Sequence, residues 1–304
     1  MDRSDRSGET VGGLGEEALV ARLVGTLPPG SGVVAGPGDD CAVVGAGDGG
    51  WLLLKTDSLV EGIHFLPGTD PVLVGRKAMN RALSDIAAMG GWPAHALVSL
   101  AVESGRSLTE VEGWYAGLSE AAAAFGCGIV GGETTRLPFT GAVLTVSMTG
   151  TVAPEECVLR SGAAPGDRIL VTGSLGGSFA SGRHLTFTPR LREARWLVTH
   201  HRPTAMMDLS DGLGSDLPRL AAASGAGYRV GSDTLPCHAG STSEEAAADG
   251  EDYELLFTIG PEAIEGLMAD WAAAFPETPL TVIGEITAEG AGSLPRGWEH
   301  YRER

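Results

Sequence analysis

Residues 154–166, PEECVLRSGAAPG, decide how this chain is divided. Proline, glycine and charge there interrupt the apolar patterns on both sides, as a domain boundary does. On the N-terminal side, residues 142–152 alternate with Leu144, Val146 and Met148 on one face, which predicts a half-buried strand. Residues 51–56 read as a buried strand ending at Asp57, and 74–88 as a helix with Gly90 suited to its C-terminal cap. Residues 107–110 (SLTE) read as a capping box opening a helix to about Phe125, and 128–131 as a short buried strand. On the C-terminal side, strands are expected at 168–172, 204–207, 253–259 and 280–286, with helices at 190–200, 214–224 and 261–275. A polar, alanine-rich linker is expected at 241–250. The alternation is irregular in both halves, without a steady βαβ rhythm. It predicts two α+β domains, at 16–155 and 156–304, behind a flexible tail over 1–15.

The chain has 304 residues, enough to bury about three quarters of its unfolded surface without disulfides or structural metal. Its 21 basic and 39 acidic side chains leave a net charge of −18. That balance argues against nucleic acid and against an anionic membrane as partners. A phosphorylated substrate would need metal cations to supply the missing positive charge. The four cysteines are scattered without a C-x-x-C pair, which fits a reducing, cytoplasmic setting rather than a disulfide framework or a zinc site. The first residues lack an apolar signal-peptide core, and no apolar run is long enough to span a bilayer.

A small set of acids stands where acids are costly, at the ends of apolar runs and among glycines. These are Asp39 and Asp40 in GPGDDCAVV (36–44), Asp57 in KTDSLVEGIHF (55–65) and Asp85 in NRALSDIAAMGG (80–91). Glu133 in IVGGETTR (129–136), and Asp208 and Asp211 in MDLSDGL (207–213), complete it. A carboxylate beside buried strands costs several kcal/mol unless it is paired or bound to metal, and few bases lie nearby in sequence. Oxygen-only ligands select hard cations such as Mg²⁺. Each acid also has a structural alternative: a turn for 39–40, a helix cap for 208 and 211. The glycine-rich loop at 173–178 lacks G-x-x-x-x-G-K-[ST], so it is no P-loop, and the protein-kinase motifs are missing. The residues alone point to metal-dependent phosphate chemistry and stop short of a substrate.

Taken in order, these strings, with TGTV (149–152), LRSGAAPGDRILVTGSLGGS (159–178) and DGEDYELLFT (249–258), resemble the thiamine-monophosphate kinases of the aminoimidazole-ribonucleotide-synthetase-like superfamily. The resemblance runs from about Gly36 to Tyr301. It implies a two-domain α+β fold whose N-terminal domains pair in a homodimer, with ATP and several Mg²⁺ ions near the interface. The implied reaction is direct in-line transfer of a phosphoryl group from ATP to thiamine monophosphate, in which Asp57 and Asp211 serve catalysis. Metal ligands are implied at Asp39, Thr56, Asp57, Asp85, Glu133, Asp208 and Asp211. Nucleotide contacts are implied at Gly132, Glu133, Arg160 and Ser210, with Tyr115 packing on adenine. His64, Glu251 and Trp298 match the positions that hold the thiamine moiety. Two departures concern the number of ions: Glu133 replaces the family's aspartate, and Lys55 replaces a small hydroxyl residue. The competing readings are another ATP-using member of the superfamily and a non-catalytic module in which the acids only hold structure.

Overall fold

The computed structural model describes residues 10–28, 30–47, 49–290 and 294–301. Its first sheet contains β1 (Val33–Ala35), β2 (Ala42–Gly45), β3 (Trp51–Val60), β4 (Trp92–Val102), β5 (Gly128–Arg136) and β6 (Ala142–Val152). Their order is β1-β2-β3-β6-β4-β5, antiparallel except for the parallel β4–β5 pair. The second sheet contains β7 (Arg168–Thr172), β8 (Ala205–Asp208), β9 (Gly227–Val230), β10 (Leu255–Ile259) and β11 (Leu280–Thr287). It runs β8-β10-β7-β11-β9, antiparallel throughout. The α+β expectation agrees with this arrangement.

Strand alternation divides the interior. Leu170 of β7 joins the larger core, which the first sheet shares with the Leu191–His200 and Ile264–Ala274 helices. Its neighbours Ile169 and Val171 enter a second core under the Leu213–Ala223 and Ser243–Ala248 helices. One face of the second sheet therefore continues the interior of the first half.

The Pro71–Ala88 helix lies at that junction. Asp70 caps it by accepting the N–H groups of Val72 (2.8 Å) and Leu73 (3.4 Å), and Pro71 stands at its first position. Most of its surface is buried, polar residues included. Lys77, Asn80, Arg81, Ser84 and Asp85 recur at helical spacing and form one polar stripe, while Val74, Ala78, Ala82 and Leu83 pack into the core. The helix touches the Leu108–Ala124 helix backbone to backbone. A Cβ on Gly75 would lie 1.9 Å from the carbonyl oxygen of Trp114. Gly75→Ala should push the two helices apart and cost about 2–4 kcal/mol, checked as a lower urea midpoint at unchanged slope.

Several local expectations are corrected. Strand β3 continues three residues past Asp57, and β5 is an edge strand with residues 131–136 exposed rather than a short buried one. Ser107 makes no side-chain cap: the Glu110 N–H donates to the Ser107 carbonyl at 3.1 Å, and the Glu110 carboxylate turns back to Arg106 at 2.8 Å. The expected linker holds a helix, Ser243–Ala248, with a capping box between Thr242 and Glu245. Within the expected tail, residues 1–9 lie outside the described residues, and Val11–Leu14 form a helical turn capped by Thr10.

Candidate active site

Period-two alternation along β3 sets which side chains enter the site. Lys55 and Asp57 share the covered face with Leu53 and Leu59. Asp85 approaches from the polar stripe of the Pro71–Ala88 helix, Asp40 from the turn before β2, and Asp208 from the end of β8. The carboxylates of Asp40, Asp85 and Asp208 come within 4.8 Å of one another, all buried. Basic and hydroxyl groups hold them in place. Lys55 Nζ lies 2.6 Å from Asp85, and Ser84 Oγ donates to Asp208 at 2.6 Å. Arg160 donates to Asp40 through Nη2 at 2.6 Å and Nε at 3.3 Å. Asp57 stands beside the cluster and is gripped by Arg81 at 2.9 and 3.0 Å.

These cations do not neutralise the cluster. Burial, and then the charge of Asp40, raises the Asp208 carboxyl to about 7. Burial drives Asp85 well above the carboxylate range; Lys55 opposes that shift, and Asp208, Asp57 and Asp40 add to it. Asp57 behaves differently: burial would raise it, but Arg81 and Lys55 outweigh burial and hold it low. Three converging carboxylates that repel one another when ionised fit a hard divalent cation such as Mg²⁺. Asp40, Asp85 and Asp208 would hold it, with Asp57 adjacent.

Next to this cluster a cleft of about 480 Å³ opens between the two halves. Ile63, His64 and Arg81 border it from the first, and Phe179, Ser210, Asp211, Glu251, Tyr253 and Trp298 from the second. His64 Nδ1 accepts the N–H of Val60 at 3.0 Å, which leaves the hydrogen on Nε2. Burial, followed by the charges of Arg81 and Lys77, lowers this imidazole to about 3, so it is neutral. The fully buried Lys77 binds both oxygens of Glu251 at 2.7 and 2.8 Å and also donates to the His64 carbonyl. The segment bearing Trp298 is laid over the start of the Leu213–Ala223 helix, with the Trp298 N–H donating to the Asp211 carbonyl at 2.8 Å. Glu251 and Tyr253 both have left-handed backbones (φ 65° and 52°), unusual for residues with side chains. The Glu251 and Tyr253 N–H groups pin this loop by donating to Ser210 and Leu209.

The structure thus brings together Asp57, Asp85 and Asp208 around the cluster, and His64, Ser210, Asp211, Glu251 and Trp298 around the cleft. Other expected site residues are placed elsewhere. Asp39 is not in the buried trio; its carboxylate accepts the Arg160 N–H at 3.2 Å, and burial and Asp40 raise it to about 6. Thr56 points to the opposite, open face of the sheet, where its hydroxyl meets Ser147 at 3.1 Å. Glu133 lies on that open face too, in register with Ser99, Thr145 and Ser58, so it stands three strands from β3, roughly 14 Å. Gly132 is next to it, where a Cβ would meet the Val98 carbonyl oxygen at 1.9 Å. Tyr115 packs against the larger core rather than the cleft. Asp211 is bound by Arg219, which also holds Asp216. Arg160 spends two of its donors on Asp40 and is not free to form a fork on phosphate through them.

Sequence reading missed Lys77 and Arg81 as site residues and passed over Asp40 as a ligand. Their shared signal was the run of polar residues on one stripe of an otherwise apolar helix, and Asp40 adjoins a buried strand.

Two family models match the chain: the N-terminal domain of AIR synthase related protein over residues 38–152 and its C-terminal domain over 164–295. The thiamine-monophosphate kinase of Salmonella typhimurium is 36% identical, over 94% of this chain and 98% of that protein. The enzyme of the same name from Escherichia coli K12 is 35% identical, over 91% and 92%. The solved structure of AaThiL complexed with AMPPCP and TMP superposes with a TM-score of 0.83 at 31% identity, covering 96% of this chain and 99% of that one. No described helix is long and apolar enough to cross a membrane. By these matches, which span both halves and the cleft between them, the chain belongs to the thiamine-monophosphate kinase family, a group of phosphotransferases.

Proposed function

We propose that this chain transfers the terminal phosphoryl group of ATP to thiamine monophosphate, giving thiamine diphosphate and ADP. The observation that carries the reading is the adjacency of the buried acidic cluster to a cleft bordered by His64, Glu251 and Trp298. Transfer is in line: the substrate's phosphate oxygen attacks the γ-phosphorus as the bond to the ADP oxygen breaks. That oxygen is already ionised at neutral pH, so no protein base is needed. Mg²⁺ ions, when bound, neutralise charge on the reacting phosphates. The chain's own residues bind and orient. Arg81 presents fixed positive charge at the cleft, His64 offers its Nε2–H, and Trp298 supplies an aromatic face for a cationic ring.

The open face of the first sheet supports pairing with a second copy. It carries exposed Leu54, Leu97 and Val130 among serines and threonines, together with the edge strand β5. Pairing there would cover Thr56 and Glu133. The four cysteines are unpaired, in keeping with a cytoplasmic enzyme.

Purified protein given ATP, Mg²⁺ and thiamine monophosphate should form thiamine diphosphate, and thiamine itself should not be phosphorylated. Asp57→Asn should lower kcat by about 10²-fold or more, because Asp57 fixes both Arg81 and the edge of the cation site. ATP consumed on another acceptor, with none on thiamine monophosphate, would overturn the reading.

A further inference from the structure

The charges that border the cleft can be matched to partners one by one. Arg81 is bound to Asp57, and Asp211 to Arg219. Glu251 has both oxygens on the ammonium of Lys77, which is itself shut away from solvent. Asp249 is the exception among the described residues. It lines the same cleft at the end of the Ser243–Ala248 helix, and one carboxylate oxygen accepts the Gly177 N–H at 2.9 Å. Among the described residues, no lysine or arginine pairs with it. The cleft therefore holds one carboxylate without a basic partner, beside the aromatic rings of Trp298 and Phe179.

An unbalanced carboxylate in a partly enclosed, aromatic-edged cleft attracts an organic cation far more than a paired one does. Glu251 is unsuited to that task, since the nearby Lys77 charge repels a cation about as strongly as the carboxylate attracts it. We propose that Asp249 recognises the positive charge of the substrate's ring, and that Lys77 cancels Glu251 in that role and leaves it as a fixed wall. This assignment rests on the kinase reading given above.

The test compares two ligands by titration calorimetry: thiamine monophosphate and a carbon-for-nitrogen analogue of it whose ring is neutral. The wild-type chain should prefer the cationic ligand by about tenfold or more. In Asp249→Asn that preference should shrink to about twofold, with the neutral analogue's affinity nearly unchanged. In Lys77→Met the preference should widen, because Glu251 is released to act as a second counter-charge. Asp249→Ser, at a half-exposed position, repeats the first comparison should the buried lysine variant fail to fold. A wild type that prefers the cationic ligand and an Asp249→Asn that keeps the full preference overturn the assignment alone. A wild type that binds neither ligand overturns the kinase reading and the assignment with it.

Discussion

Asp208→Asn is expected to slow turnover severely while making the chelated protein harder to unfold. The two effects have one cause. Asp208 is buried beside Asp40 and Asp85, and its carboxyl is raised from 3.8 to about 7. A raised folded-state value means that the native protein binds protons that the unfolded chain has released. Stability is therefore lost as pH climbs from about 4 through 7, by up to about 4 kcal/mol at this one site. Above pH 7 without divalent cations the cost is fully present. Asparagine removes the charge, keeps the volume and still accepts the Ser84 hydroxyl. In chelator at pH 8 the variant should melt several degrees above the wild type, and the gap should close toward pH 4. Asp39, raised to about 6, and Asp252, raised to about 7, slope the same way but are common to both proteins and cancel in the difference. His64, lowered from 6.5 to about 3, slopes oppositely below pH 6.5 and cancels likewise. Mg²⁺ should stabilise the wild type and leave the variant nearly unmoved, and kcat should fall by about 10³-fold. If Asp208→Asn melts below the wild type in chelator at pH 8, the carboxylates are not in net repulsion and the cation-site reading loses its electrostatic basis.

Much of the frame was legible in the sequence because periodicity reports burial. The 142–152 alternation and the 74–88 helical spacing became β6 and most of the Pro71–Ala88 helix. What failed was local chemistry with two outcomes. The motif at 107–110 had the letters of a capping box, but Arg106 offered Glu110 a charged partner one turn away. The motif at 242–245 had equally good letters and no such competitor, and it became a true box inside a segment read as linker. The site followed the same pattern. Of the acids marked as costly, Asp85 and Asp208 are buried and raised, whereas Glu133 is exposed on the edge strand, and choosing between neighbours such as Asp39 and Asp40 needs the depth at which each side chain ends. Thr56 and Asp57 could have been separated from sequence alone. Once the strand is extended past Asp57, adjacent residues must point to opposite faces, and only one of the two can meet Asp85. Ion pairs across the halves, such as Lys77–Glu251, were beyond reach, since their partners lie 174 residues apart.

Arg160 sits inside the 154–166 boundary segment, and its replacement by Met should be the most destabilising change at the site. The Asp40 side chain has 0% exposure, and its basic partner among the described residues is Arg160. Removing the guanidinium leaves a buried carboxylate with no counter-ion, facing Asp208 and Asp85, at a cost of about 3–5 kcal/mol. The backbone contact from the Arg160 N–H to Asp39 survives, so the loss reports the Asp40 pair rather than the turn. Asp40→Asn/Arg160→Met should recover at least about 1 kcal/mol of that loss, because the double variant buries neither charge alone. Divalent cation gives the sharper discrimination. If Asp40 is a ligand, an ion takes over the neutralising role of the arginine, and saturating Mg²⁺ should narrow the gap in urea midpoint between Arg160→Met and wild type. If the gap is the same in Mg²⁺ and in chelator, no ion touches Asp40. The cluster would then be a purely internal network, and phosphate chemistry would have to draw its cation from elsewhere in the cleft.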